Sequence, residues 1–374
     1  MILPLPSNTS GVGEPGSGLA TGPALGAAYT LAAAPRPRLT LSQEKARDAI
    51  LCSDRPEDYE TVDCPCGIRG GDRLLSEVDR HGLPCRNVIC LACGLIRLSP
   101  RWREARYERF YRFEYRSLYN PSLLSKTEYA REIAQNAVTS ERGRWIEGAA
   151  LRYRLPATPR LVELGAGAGW NLSRLPASWE RVGYDVDDEY LEIGKGSFGV
   201  EMRKGLVEDS LPAVSRADIV LLSHVVEHFH DPERVLATLA GRLHPGALLL
   251  IEVPGLFRLH RTNLDVRSYL QNAHTFTYCA RTLQDACRRA GLDVLEIDQS
   301  ARAVCRPGSP GAQQAHAFRA GLAQRTIRYL RLCDSGYRQY AWLRRIPWMG
   351  RYAAALWKRT YFEVLGLAVS RELR

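Results

Sequence analysis

The segment Leu161–Asn171, reading LVELGAGAGWN, constrains this 374-residue chain more than any other stretch. Leu161, Val162 and Leu164 flank one acid, Glu163, and run into glycines at 165, 167 and 169. A short apolar run that stops at a glycine turn reads as a buried strand. Glycine at every second position permits turn dihedrals closed to other residues. It also leaves no Cβ to hold a bound molecule off the backbone. The residues that follow can open a helix whose free N–H groups face the same spot. The segment therefore has the form of a cradle for a nucleotide-type cofactor, with Glu163, Gly165, Ala166, Gly167 and Gly169 as its residues.

The spacing narrows the cofactor. A nicotinamide fingerprint needs G-x-G-x-x-G. Counted from Gly165 its third glycine falls on Trp170, and counted from Gly167 it falls on Leu172. A P-loop is excluded because no Gly-Lys-Ser/Thr follows. Val182, Gly183 and Tyr184 read as a second strand ending in Asp185, about twenty residues after Glu163. An acid at that strand end suits the paired hydroxyls of a ribose, with Val186 beside it. Its competing role is a helix N-cap, since Asp187, Asp188 and Glu189 open the next helix. Asp218–Ser223 is a further buried strand, and Asp231-Pro232 begins a helix with proline in its first turn. Leu243–Gly246 ends that helix before an apolar strand over Ala247–Val253.

E-x-G-x-G-x-G in this company resembles the class I S-adenosylmethionine (SAM) methyltransferases, over roughly residues 159–306. The phrase SHVVEHFHDPERVL…LHPGALLLIEVPG is similar to the subgroup with a Glu-His pair after the fourth strand. The resemblance implies an α/β, Rossmann-like, seven-stranded sheet with an antiparallel last strand near Ala301 to Arg306. It implies that Glu163, Gly165, Ala166, Gly167, Asp185, Val186 and His224 hold SAM, while Gly169 shapes the turn. Transfer from a sulfonium is an in-line displacement that needs close alignment and, for a hydroxyl acceptor, a base. His228, next to Glu227, and His274 are the two candidates for that base. The alternative for Glu227 and His228 is that they fix the wall of the pocket by hydrogen bonds.

Cys64-Pro-Cys66-Gly67 and Cys90-Leu-Ala-Cys93-Gly94 lie 23 residues apart. Two short cysteine hairpins, each closed by glycine, suit a zinc ribbon with four thiolates and no open position, hence a structural Zn²⁺ site. The first hairpin has one residue between its cysteines where two are usual, and Cys85 is a spare thiol that could replace a ligand. CPCG, CLACGL and RFYRFEYRSLYNP are also similar to the N-terminal stretch of many bacterial methyltransferases with the Glu-His phrase. That extends the resemblance to about residues 62–306 and implies a small-molecule or saccharide acceptor. Tyr107, Tyr111, Tyr115 and Tyr119 recur every four residues and make one helical stripe, for packing or as a lid.

From His316 onward, twelve Lys/Arg face three acids, in a chain of net charge +10. Trp342, Trp348 and Trp357 interleave with them. The segment reads as two or three basic, aromatic-rich helices. These suit an anionic membrane surface, a nucleic-acid face, or a plain helical cap. Residues 1–40 are rich in Gly, Ala, Pro and Ser and read as a disordered tail. The start has no basic n-region and the cysteines are paired for metal, so a cytoplasmic protein is expected, peripheral to the inner membrane face if its tail meets lipid. The expected layout is a tail (1–40), a zinc ribbon (55–100), a helical connector (101–158), the methyltransferase domain (159–306) and a basic helical extension (311–374). Two other readings stand beside small-molecule O-methylation. One is an RNA methyltransferase that grips RNA with its zinc module and basic tail. The other is a non-catalytic scaffold on the same fold.

Overall fold

The structure, a computed structural model, describes residues 22–35, 38–119, 125–262, 265–308 and 320–346, with 355, 357, 360, 361 and 363. Two compact units form from interleaved segments. One takes Met1–Pro121, Phe257–Thr277 and Ala317–Arg374; the other takes Ser122–Leu256 and Tyr278–His316.

The second unit holds the glycine turn. Its strands are β1 (Arg160–Leu164), β2 (Glu180–Asp185), β3 (Glu201–Lys204), β4 (Ile219–Ser223), β5 (Leu248–Glu252), β6 (Leu292–Ile297) and β7 (Arg302–Pro307). They lie in the order β6-β7-β5-β4-β1-β2-β3. β1 to β5 are mutually parallel, and β7 runs antiparallel to both β5 and β6. This is the expected seven-stranded sheet, with its antiparallel strand where Ala301 to Arg306 placed it. Every residue of β4 and β5 is buried, as parallel strands covered on both faces must be. The helices are α1 (Lys126–Gln135), α2 (Ala137–Arg152), α3 (Asp188–Phe198), α4 (Val207–Val214), α5 (Pro232–Ala240) and α6 (Ala280–Arg289). Ile146, Leu161, Leu172, Ile219, Leu221, Leu248, Leu250 and Val304 share one core. The chain turns one way from β1 to β2 and the other way to β4. That switch point opens a crevice outside the carboxyl ends of the strands.

One element departs from expectation. The helix after the glycine turn is a single 3₁₀ turn, Leu172–Arg174. Pro176 follows, and the residue before a proline is pushed out of the helical region. Leu175 is extended, with ψ 156°.

The first unit is built on an antiparallel sheet of Phe276–Thr277, Ile96–Leu98, Pro84–Cys90 and Asp72–Val78, in that order. The cysteine segment therefore shares its sheet with a strand from far along the chain. Ile50, Leu83, Trp102, Tyr107, Phe110, Leu118 and Ala273 form the core. The four tyrosines do make one stripe, with successive ring centroids 6.2, 5.4 and 5.0 Å apart. Three of the hydroxyls are tied down: Tyr107 donates to Asn272 O, Tyr111 to Ala273 O and Tyr119 to Asp79 Oδ2. The stripe packs this unit together.

The expected tail needs correction from residue 22 onward. Tyr29 is fully buried and donates to Asp334 Oδ1 at 2.6 Å, while Ala24 N–H bonds Leu74 O. One anchoring aromatic outweighs a disorder-prone composition; residues 1–21 lie outside the described residues. The basic extension contributes α7 (Leu322–Leu343), whose buried side includes Leu322, Tyr329, Leu330 and Cys333. Most of the remaining helices expected after it lie outside the described residues. No described helix is long and apolar enough to cross a membrane.

Candidate cofactor and metal sites

Gly165, Gly167 and Gly169 have φ of +67°, +55° and +72°. This left-handed run is what excludes other residues. The space of the missing side chains is taken by the protein itself. A Cβ on Gly165 would sit 2.7 Å from Val225 Cγ2, and one on Gly169 would sit 2.7 Å from Val200 Cγ2. On Gly167 it would meet the Trp170 indole. The sequence reading assigned these gaps to a ligand's approach. In the structure, chain conformation and close packing demand the glycines. Ala166 is buried and donates its N–H to Tyr184 O, which ties the turn to β2.

Asp185 ends β2 with its carboxylate turned into the turn. Oδ2 accepts from Gly167 N–H at 2.7 Å and Oδ1 from Asp187 N–H at 3.0 Å. Burial pushes its pKa up. Each oxygen keeps a second lone pair. The N-cap of α3 is Asp187, which accepts from Glu189 and Tyr190 N–H, so Asp185 is not spent on capping. Beside it Val186 is 57% exposed and Leu206 62% exposed. Gly205 N–H bonds Asp185 O, which brings Leu206 to this edge. The sequence reading missed Leu206, though a lone apolar residue after a short strand was a signal.

Glu163 begins a buried polar chain. Its Oε1 accepts from Asn171 Nδ2 at 2.5 Å, and Asn171 Oδ1 accepts from Arg142 Nη1 at 2.7 Å. Arg142 Nε reaches Glu252, the last residue of β5. Arg302 Nε donates to the other Glu252 oxygen at 2.8 Å. Burial raises Glu163 to about 8. Burial also opposes ionisation of Glu252, but Arg142, with His224 and Arg302, holds it below the usual carboxylate range. Glu163 Oε2 is buried without a hydrogen-bond partner among the described residues. Glu252 was findable as an acid closing an apolar strand, like Asp185. Arg142 was not, because nothing local marks one arginine of a polar helix as buried.

His224, Glu227 and His228 come together after β4. His224 has φ +57°, rare for a residue with a side chain, and its N–H bonds Glu252 O at 2.8 Å. Its Nδ1 lies 3.5 Å from Glu227 Oε1, and His228 Nε2 lies 3.9 Å from the same oxygen. Glu227 is buried, while the His228 side chain is 27% exposed. His274 belongs to the first unit. It is buried just before Phe276–Thr277, and Gln271 Nε2 donates to its Nε2 at 2.8 Å.

Cys64, Cys66, Cys90 and Cys93 converge with their sulfurs within 4.8 Å of one another, all buried. Cys64 and Cys93 are 3.5 Å apart and Cys66 and Cys90 are 3.7 Å apart. A tetrahedron of zinc–sulfur bonds of about 2.3 Å has edges of about 3.8 Å, so the donor set fits that ion. Gly67 N–H bonds Cys64 O and Gly94 N–H bonds Cys90 O, which closes both hairpins despite the short first one. Cys85 is outside the group. It is buried elsewhere and receives Asn87 Nδ2 at 3.3 Å.

Residues 128–297 match a family model described as a methyltransferase domain. No curated protein matches the chain. Human N-acetylserotonin methyltransferase in complex with SAM is similar in structure at 18% identity and TM-score 0.40, over 52% of this chain and 59% of that one. The CurJ carbon methyltransferase is similar at 15% identity and TM-score 0.40, over 52% and 61%. SAM-bound CalS10, an amino pentose methyltransferase from Micromonospora echinaspora, is similar at 17% identity and TM-score 0.28, over 35% and 58%. This chain thus spans about six-tenths of each of those proteins. With such scores, the fold rests on the strand order and the family match.

Proposed function

We propose that this chain is a SAM-dependent methyltransferase that methylates a hydroxyl of a small molecule or saccharide, with a structural zinc on its four cysteines. The observation that carries the reading is the left-handed glycine turn at the switch point of the sheet, with the Asp185 carboxylate against Gly167 N–H.

Asp185 would take the ribose hydroxyls on its remaining lone pairs, with Val186 and Leu206 as apolar surfaces for the base. Glu163, through its unpartnered Oε2, would take the amino group of the methionine part, and His224 would line the same rim. When bound, SAM supplies an electrophilic methyl group whose departure leaves a neutral thioether, so no acid is needed there. The protein must align the acceptor and remove one proton. His228 is the base we favour, because the buried Glu227 carboxylate beside its ring can orient it and stabilise the charge it gains. As the acceptor oxygen bonds the methyl carbon, its O–H proton passes to His228. His274, the other histidine considered from the sequence, lies in the first unit, and its Nε2 already accepts a hydrogen bond.

Calorimetry with SAM tests the reading directly. The wild type should bind, and Asp185→Ala should weaken binding at least tenfold, since each hydrogen bond to a charged group contributes about 1.5–3 kcal/mol. A wild type that does not bind SAM would leave the scaffold reading standing. His228→Asn should leave SAM binding intact and remove turnover of an accepted substrate, whereas His274→Asn should keep turnover. Metal released by acid should come to about one zinc per chain.

A further inference from the structure

A cleft of about 430 Å³ opens in the first unit, and none of the four clustered cysteines lines it. One wall is a stripe of α7: Gln324, Ile327, Arg328, Arg331 and Leu332, spaced at one helical face. Ala24 and Arg73 complete it. The volume falls in the range of small-ligand sites. The lining has three arginines, no acid and no aromatic ring.

The helix carries the same signature along its whole length. α7 contains four arginines and a single acid, Asp334. Asp334 is buried, accepts from Tyr29 and pairs with Arg338 Nε at 3.1 Å. Its charge is therefore spent inward. Gln324, Arg328, Arg331, Ser335, Arg338, Trp342 and Arg345 repeat at alternating steps of four and three. They form one line opposite the buried Leu322, Tyr329, Leu330 and Cys333. Arg328 and Arg331 are exposed, Trp342 is 63% exposed and Leu332 37%. Nearby, Tyr361 donates its hydroxyl to Leu332 O and stacks on Trp357.

We propose that this face of α7 docks on an anionic phospholipid bilayer, and that the arginine-rimmed cleft takes one lipid phosphate. Cations in a line, an exposed tryptophan and aliphatic side chains between them suit the headgroup boundary, where long basic side chains reach phosphate and apolar parts settle below it. Ile327, Leu332 and Ala24 give the first methylenes of the lipid an apolar wall. A single-stranded nucleic acid would call for a row of rings to stack on its bases, and the cleft has none. The inference does not depend on the methyl-transfer reading.

Flotation of the full chain with vesicles tests it. The chain should bind phosphatidylcholine vesicles containing phosphatidylglycerol, and added salt should weaken the binding. Pure phosphatidylcholine should bind little. Arg73→Gln combined with Arg328→Gln should lower the partition coefficient on the order of tenfold. Leu332→Asp, at an exposed position, should lower it too. Unchanged thermal melting shows that each variant is folded. The proposal fails if the wild type binds neither vesicle, if both vesicles bind alike, or if folded variants partition like the wild type. It also fails if poly(U) binds more tightly than the anionic vesicles and displaces them, which would make this a nucleic-acid face.

Discussion

Glu163 combines two demands in one side chain. It must fit in a dry interior and it must meet whatever approaches the turn. With its pKa raised to about 8 from an ordinary 4.5, it holds a proton in the folded chain that the unfolded chain has already released. Folding is therefore helped most below the ordinary value, and the help is lost as pH rises to about 8. Glu163→Gln should remove that slope. Measured by thermal melting without ligand, the variant should gain on the wild type at about pH 9 relative to about pH 5, at no more than about 1.4 kcal/mol per pH unit. Gly167→Ala tests the other half of the site. A methyl group there meets both a positive φ and the Trp170 indole, so a cost of about 1–3 kcal/mol is expected. Trp170→Ala in the same chain should return part of it, because it relieves the clash and leaves the backbone strain. At this scale the sequence marked the residues of the turn and of the cysteine cluster more clearly than it marked their neighbours. Gly165, Gly167, Asp185 and the four cysteines could be picked out from spacing alone. The tenants of the glycine gaps could not: Val225 and Val200 come from distant parts of the chain, and spacing does not say that the Trp170 indole folds back over Gly167.

Among the elements, α1 shows how a helix is fixed near the turn without belonging to the sheet. Ser125 caps it in a capping box, and Lys126, 7% exposed, binds Asp187 at 2.6 Å and Glu189 at 3.0 Å. Its ammonium also lies over the Tyr190 ring. Ala130 packs in a small cluster with Ala168 and Ile193. Lys126→Met should cost about 1 kcal/mol, because it keeps most of the side chain's bulk and the carboxylates it leaves, 30% and 58% exposed, can turn to water. Hydrogen exchange should locate the effect, with faster exchange over 126–135 and little change in β4 and β5. β4 and β5 were legible because each is a continuous apolar run ending at a polar residue; the arrangement of the whole sheet was legible only through the family resemblance. The 3₁₀ turn at Leu172–Arg174 was not anticipated, although Pro176 announced it. The pairing of Phe276–Thr277 with Ile96–Leu98 had no local signal, since two residues carry no period.

For the molecule as a whole, the two units should respond differently to loss of metal. The cysteine cluster lies wholly within the first unit, and ion binding to such a site is folding free energy for its surroundings. Cys64→Ser should therefore lower zinc content to well below one per chain and shift one calorimetric transition downward. A second transition, from the seven-stranded sheet, should stay in place; a single transition that shifts as one would show that the units melt together. The layout read from composition treated the chain as beads in sequence, because composition reports neighbours along the chain and not across it. The Leu322 side chain packs where a Gly94 side chain would stand, so α7 roofs a hairpin made more than two hundred residues before it. On the ribosome, that hairpin emerges with its roof missing and must wait for more than two hundred further residues before it is covered. A nascent chain stalled or clipped near residue 310 would thus lose an inner wall, and not merely a dangling end.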